Sequence, residues 1–337
     1  MGIHGGDIYR NHIAIDFSIN VNPLGVPKAV KTALHQAVES CERYPDIKAE
    51  RLKMAVSNML TVPEEYLLFG NGASELFMAI VHGIKPKKIV IPVPSFYGCE
   101  YAGLAAESEI IYYEMNQRDH FCIGDDFESI LTEEIDLLFL ANPNNPIGNL
   151  LDKETVKNLL QYCNEKGIYV VLDECFIEFI GNWFSMISEI ELFDNLILVR
   201  AFTKIFSIPG VRLGYLVCKN ESLLTKIAKQ LPEWNLSCFA QEAGCICAKQ
   251  TEFLIETKKY VERERKFLEQ GLKQRGFFVF PSSTNFILIY SNKPLYEQLL
   301  KKGILIRDCK NFRGLSQGFY RIAVKSRKEN EILLETL

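Results

Sequence analysis

Five short apolar runs carry no polar alternation, and they constrain this chain more than any other feature. They are Lys88-Ile-Val-Ile-Pro92, Asp136-Leu-Leu-Phe-Leu-Ala141, Gly167-Ile-Tyr-Val-Val-Leu172, Asn195-Leu-Ile-Leu-Val199 and Leu213-Gly-Tyr-Leu-Val-Cys218. A strand with one wet face alternates; a strand without alternation is covered on both faces, as in a parallel sheet flanked by helices. Amphipathic helical patterns fall between the runs, including residues 74–84 and 153–165. The reading is an α/β domain with a mainly parallel central sheet over residues 28–225. Beyond 225 one long polar-apolar helix is expected over 241–275. Strand-like segments follow at 276–280, 285–290, 304–307 and 319–324. These predict a smaller α+β domain over 226–337, with residues 1–27 as an N-terminal arm packing against it and a cleft between the two domains.

Charge and length exclude several functions. The 337 residues hold 38 Lys and Arg against 42 Asp and Glu, a net charge of −4. That leaves no cationic excess to neutralise nucleic-acid phosphates. No apolar run approaches the roughly 20 residues that cross a bilayer. The opening Met-Gly-Ile-His-Gly-Gly-Asp lacks a basic-then-apolar leader, so a cytoplasmic location is expected. Ten cysteines include no Cys-x-x-Cys pair, and the five histidines all precede residue 121. Metal binding is therefore not expected, and most of the thiols read as buried and reduced.

In an open parallel sheet, ligands bind beyond the carboxyl ends of the strands. Those ends hold the least ordinary sequences here: Ile91-Pro-Val-Pro-Ser-Phe96, Asn142-Pro-Asn-Asn-Pro-Ile-Gly148, Asp173-Glu174 and Ala201-Phe-Thr-Lys204. Each alone reads as a turn; four at one sheet edge, carrying an amine, a carboxylate, a carboxamide and an aromatic ring, read as a site. Lys204 follows an apolar strand and precedes Ile-Phe-Ser-Ile-Pro-Gly. Partial burial there would lower its pKa and free the lone pair for imine formation. Arg212 offers a forked phosphate contact. Gly70-Asn-Gly-Ala-Ser74 opens a helix whose unpaired N–H groups suit a phosphate. A carboxylate at Asp173 could keep a heteroaromatic nitrogen protonated. Amine, carboxylate, aromatic and phosphate cradle together match the needs of pyridoxal 5'-phosphate.

These segments, with Asn71-Gly-Ala-Ser-Glu75, Thr203-Lys204 and Arg212-Leu-Gly-Tyr215, resemble the pyridoxal-phosphate-dependent aminotransferases of fold type I, the aspartate aminotransferase fold, over essentially the whole chain. The resemblance implies that Lys204 carries the cofactor as a Schiff base and later moves a proton. It implies that Asp173 pairs with the ring nitrogen, Asn145 bonds the phenolic oxygen and Phe96 stacks on the ring. Ala73, Ser74, Thr203 and Arg212 would hold the phosphate, and Arg321 the substrate carboxylate. Tyr44 in Arg43-Tyr-Pro-Asp46 would reach the neighbouring site of a homodimer. Ala201 stands where a hydroxyl residue is usual, and Phe176 where many members carry tyrosine.

Two branches of the family compete. Histidinol-phosphate aminotransferases are similar in size and in the 43–46 segment. L-threonine-O-3-phosphate decarboxylases of cobalamin biosynthesis are similar in His4-Gly-Gly-Asp7, Asp16-Phe-Ser-Ile-Asn-Val-Asn-Pro-Leu-Gly25, the 173–176 segment, and Ile306-Arg-Asp-Cys309 with Asn311-Phe-Arg-Gly-Leu315. The second resemblance implies that His4, Gly5, Asn22, Arg307 and Arg321 bind substrate and that O-phospho-L-threonine loses CO2. Asp7, where those enzymes normally carry asparagine, is then expected to point away from the substrate phosphate. A transaminase aligns Cα–H perpendicular to the cofactor ring; a decarboxylase aligns Cα–CO2. A cofactor-binding regulatory protein is the non-enzymatic alternative, and an intact Lys204, Asp173 and Arg321 speak against it. A nicotinamide enzyme is disfavoured because no Gly-x-Gly-x-x-Gly follows the first strand.

Overall fold

A computed structural model describes residues 5–10 and 12–337. In chain order the elements are β1 (Ile15–Asp16), α1 (Lys28–Ala37), α2 (Glu50–Leu60), β2 (Leu67–Gly70), α3 (Ala73–Ile84), β3 (Lys88–Val93), α4 (Tyr97–Ala105) and β4 (Glu109–Glu114). They continue with β5 (Leu137–Ala141), α5 (Lys153–Glu165), β6 (Tyr169–Asp173), β7 (Leu196–Ala201), α6 (Phe202–Ile205), β8 (Gly214–Val217), α7 (Glu221–Ala228), α8 (Cys238–Cys247) and α9 (Thr251–Gln274). The last are β9 (Phe278–Val279), β10 (Phe286–Tyr290), α10 (Leu295–Leu300), β11 (Ile304–Leu305), β12 (Arg307–Asp308), β13 (Phe319–Ala323) and α11 (Arg327–Thr336).

All five apolar runs form strands of one seven-stranded sheet, ordered β2-β8-β7-β6-β5-β3-β4. The block from β7 to β4 is parallel; β8 pairs antiparallel with β7 and with β2. Two strands escape the sequence pattern. The edge strand β4 is only half-buried, and β2 is four residues long. The chain runs outward from β3 to β4, then returns to the other side of β3 as β5. This reversal opens a crevice at the carboxyl ends of β3 and β5, where ligands of such sheets bind.

The expected long helix is two helices. Gln250, at φ −90° and ψ 47°, leaves the helical region between α8 and α9. The Ser237 side chain caps α8 by accepting from the Ala240 N–H. Without a Gly or Pro near 248–250, sequence offered no punctuation. The two helices have different partners: α8, although past residue 225, packs against α1 and α2, while α9 reaches α11 and the second sheet.

That second sheet, β12-β13-β10-β9, is antiparallel throughout. The arm strand β1 pairs with β11, and Phe17 is buried with Leu268, Ile287 and Ile322. Among the described residues no helix is long and apolar enough to cross a membrane.

Candidate active site

Where β3, β5, β6 and β7 end, a cavity of about 430 Å³ faces the second sheet. Its lining includes Gly5, Ala73, Ser74, Phe96, Asn145, Asp173, Thr203, Lys204, Arg212, Arg307 and Arg321. Thus eleven of the expected site residues meet in one place. Tyr44 and Asn22 do not line it.

Strand alternation explains the Asp-Glu pair that closes β6. Asp173 faces the cavity, and its Oδ1 accepts from the Cys175 N–H at 3.0 Å. Burial raises its pKa, against the lowering effect of Cys175. Glu174 turns the other way and is fully buried. Its Oε2 accepts from Arg200 Nη2 at 2.9 Å and Nε at 3.0 Å, and from Ser185 Oγ at 2.6 Å. Arg200 immediately precedes Ala201, so this ion pair ties the strand bearing Asp173 to the strand that delivers Lys204.

Lys204 lies in the single turn of α6, and its residue surface is half-buried because the side chain faces the cavity. Burial, aided by Arg321 and Arg212 and opposed by Cys175, lowers its pKa to about 8. Among the described residues no hydrogen-bond acceptor meets its amine.

The N-terminus of α3 supplies the free N–H groups of Ala73 and Ser74. Gly72 precedes them at φ +78°, which favours glycine, and a Cβ there would lie 2.3 Å from Arg212 Nη2 and push the guanidinium aside. Arg212 itself adopts φ +61° and donates to Pro209 O at 3.3 Å. Its exposed guanidinium has no carboxylate partner among the described residues. Helix terminus and arginine together make an anion cradle. Phe96 and Phe176 add aromatic walls.

The opposite wall comes from the second sheet. Arg307 on β12 and Arg321 on β13 are directly paired across the antiparallel ladder. Arg321 Nη2 donates to Ser18 O at 2.8 Å and its Nη1 donates to Asn145 Oδ1. Its buried Nε has no hydrogen-bond partner among the described residues. Burial brings its pKa down to about 10, so it remains a cation at neutral pH. The bond from Arg321 occupies Asn145 Oδ1 and leaves the Nδ2 donor for a ligand oxygen. Arg307 donates to Asn311 Oδ1 at 2.8 Å and lies 5.1 Å from the Phe312 ring centre. Burial lowers its pKa as well. Two buried like charges side by side repel, and no acidic side chain among the described residues forms an ion pair with either. The site asks for anions.

The remaining expectations divide. Asn22 lies apart from the cavity: its Nδ2 donates to Ile205 O at 2.7 Å and Thr257 Oγ1 at 2.8 Å. The same segment places Asn20 and Ser18 in the cavity instead. Gly5 is there because a Cβ would come within 2.4 Å of Ser18 O. His4 lies outside the described residues. Asp7 pairs with Arg10 at 3.2 Å and lines a neighbouring pocket that Arg307 also borders. Tyr44 is 82% exposed and rests on Trp234, with ring centres 4.9 Å apart. Asn311 and Arg313, from the 311–315 segment, also line the cavity, as does Glu100, which no motif marks.

A lysine-bearing, anion-binding crevice at the switch point of such a sheet defines a class of fold type I enzymes. The chain belongs to the aminotransferase class I and II family, whose model matches residues 12–337. It is 37% identical to a protein of Caldanaerobacter subterraneus subsp. tengcongensis that carries the provisional name threonine-phosphate decarboxylase, covering 99% of this chain and 92% of that one. It is 33% identical to the threonine-phosphate decarboxylase of Salmonella typhimurium, over 99% of this chain and 95% of the relative. Among solved structures, the histidinol-phosphate aminotransferase of Clostridium acetobutylicum superposes with a TM-score of 0.91 at 33% identity, covering 96% of this chain and 98% of that one.

Proposed function

We propose that this chain binds pyridoxal 5'-phosphate and removes CO2 from O-phospho-L-threonine, giving (R)-1-amino-2-propanol phosphate. The observation that carries this reading is the pair Arg307 and Arg321. Two buried guanidiniums on adjacent strands fit a small substrate with two anionic ends, a carboxylate and a phosphate. The threonine-phosphate decarboxylases among the relatives support the same substrate.

The residues present fit the cofactor. The α3 N-terminus, Thr203 and Arg212 form the cradle for its phosphate, Phe96 and Asp173 are placed for its ring and ring nitrogen, and Asn145 Nδ2 is free for its phenolic oxygen. Bound there, the cofactor supplies an electron sink for the pair left on Cα when the carboxylate departs. The chain's own residues do the rest. Lys204, with a pKa of about 8, has an appreciable neutral fraction at neutral pH and so can attach the cofactor. Arg321 orients the carboxylate; Arg307, Asn311 and the Gly5 segment surround the phosphate. Lys204 then delivers one proton to Cα, which balances the loss of CO2. Tyr44, exposed on this protomer, would complete the neighbouring site of a homodimer.

A histidinol-phosphate aminotransferase is the second reading, favoured by the backbone match to the Clostridium acetobutylicum enzyme. Incubation of the holoenzyme with O-phospho-L-threonine separates the two. Stoichiometric CO2, with no conversion to the pyridoxamine form by glutamate, is expected. Rapid conversion by glutamate without CO2 release would give the site to transamination.

A further inference from the structure

At the mouth of the same cavity stands a charged group that the chemistry above does not use. Arg313 Nη2 donates to Glu100 Oε1 at 3.0 Å, and the Tyr112 hydroxyl donates to that same oxygen at 3.0 Å. The Arg313 guanidinium also lies 4.0 Å from the centre of the Tyr112 ring. Glu100 is on α4 and Tyr112 on β4, both belonging to the large sheet's side. Arg313 is on the loop after β12, from the arginine wall. Glu100 and Arg313 both line the cavity, with side chains 14% and 47% exposed.

A half-exposed ion pair contributes little to stability. Its effect on a charged ligand reaches further, because a cleft focuses the field of the groups along its rim. The Tyr112 ring holds Arg313 at the mouth by cation–π attraction whether or not position 100 is charged. Glu100 therefore acts chiefly as a neutraliser. The cavity is lined by Lys204, Arg212, Arg307, Arg313 and Arg321 against Asp173 and Glu100. Removing the Glu100 charge adds net positive charge at the mouth, and removing Arg313 leaves a bare carboxylate in the path of an incoming phosphate. The product of decarboxylation keeps its phosphate and loses its carboxylate, so an unrestrained cationic mouth would retain it.

We propose that the Glu100–Arg313 pair, seated on Tyr112, sets the selectivity of this pocket for phosphorylated over unphosphorylated amino acids. Arg313 attracts the phosphate, and Glu100 limits that attraction so that a phosphorylated product can leave. The proposal rests on the reading that the substrate carries a phosphate.

Calorimetric titration of the holoenzyme with inorganic phosphate tests it, with L-threonine as the uncharged-side-chain control. Glu100→Gln should tighten phosphate binding about threefold or more, and Arg313→Ala should weaken it by a similar factor. Arg313→Lys should stay within about twofold of the parent, and the shifts should shrink in about 0.5 M salt. L-Threonine affinity should move less than the phosphate affinity in every variant. Weaker phosphate binding by Glu100→Gln, or equal shifts for phosphate and L-threonine, would show a merely structural clasp and overturn the proposal. The titration needs no turnover. A protein that binds phosphate as expected but releases no CO2 from O-phospho-L-threonine loses the decarboxylase reading alone. One that releases CO2 but shows no opposite shifts loses only the selectivity pair.

Discussion

The two walls of the cavity are built on different principles. The wall from the large sheet uses backbone: strand ends place Asp173 and Asn145, a helix terminus offers N–H groups, and Gly72 makes room for Arg212. The wall from the second sheet uses long side chains, with Arg307 and Arg321 paired across one antiparallel ladder. Backbone donors are fixed by the fold and suit an invariant cofactor. The arginines of the second sheet reach across the cavity toward the anionic ends of a substrate.

If that division is right, the walls fail in different ways. The largest effect is expected for Arg321→Ala. It removes the carboxylate contact, breaks the bond that holds Asn145 and leaves Ser18 O unpaired. Breaking a buried charged contact costs about 2–5 kcal/mol, so kcat/KM should fall by about thirtyfold or more, checked by initial rates. Loss of less than about threefold would remove Arg321 from the site.

Arg307→Ala should act on one substrate class. O-phospho-L-threonine should lose about ten- to a hundredfold in apparent affinity, from the worth of a charge-assisted contact. L-Threonine inhibition should hardly change, and cofactor absorbance should be untouched. Equal losses for both ligands would mean that the two walls are not separable.

The smallest effect concerns pH. Lys204 is depressed to about 8, chiefly by burial. Its neutral fraction rises with pH, so the rate of cofactor attachment to the apoprotein should increase about fivefold between pH 7 and 8 and level off above pH 9. Stopped-flow absorbance would check this; a profile still rising steeply to pH 10.5 would place the lysine in ordinary solvent.

The same contrast explains what the sequence disclosed. The large-sheet wall is written in contiguous segments, such as Asn71–Glu75 and Asn142–Gly148, because a strand end and the turn after it are neighbours in the chain. Unalternating runs revealed the strands for the same reason. Side-chain walls are assembled across distance. Glu100 and Arg313 meet from 213 residues apart; Arg313 lies in the 311–315 segment, but nothing local marks Glu100 or the pairing. Asn22 and Asn20 were indistinguishable in sequence until the turn at 22–25 sent Asn22 toward Thr257. The break between α8 and α9 arises from different packing partners, a tertiary cause without a residue signature.

Everything depends on Lys204 facing the cofactor pocket. Borohydride reduction of the holoenzyme followed by peptide mass analysis tests this directly. A pyridoxyl group is expected on Lys204 and none in Lys204→Ala, which should retain the cofactor only reversibly. A label on any other lysine, or an unlabelled Lys204 in an active protein, would contradict it.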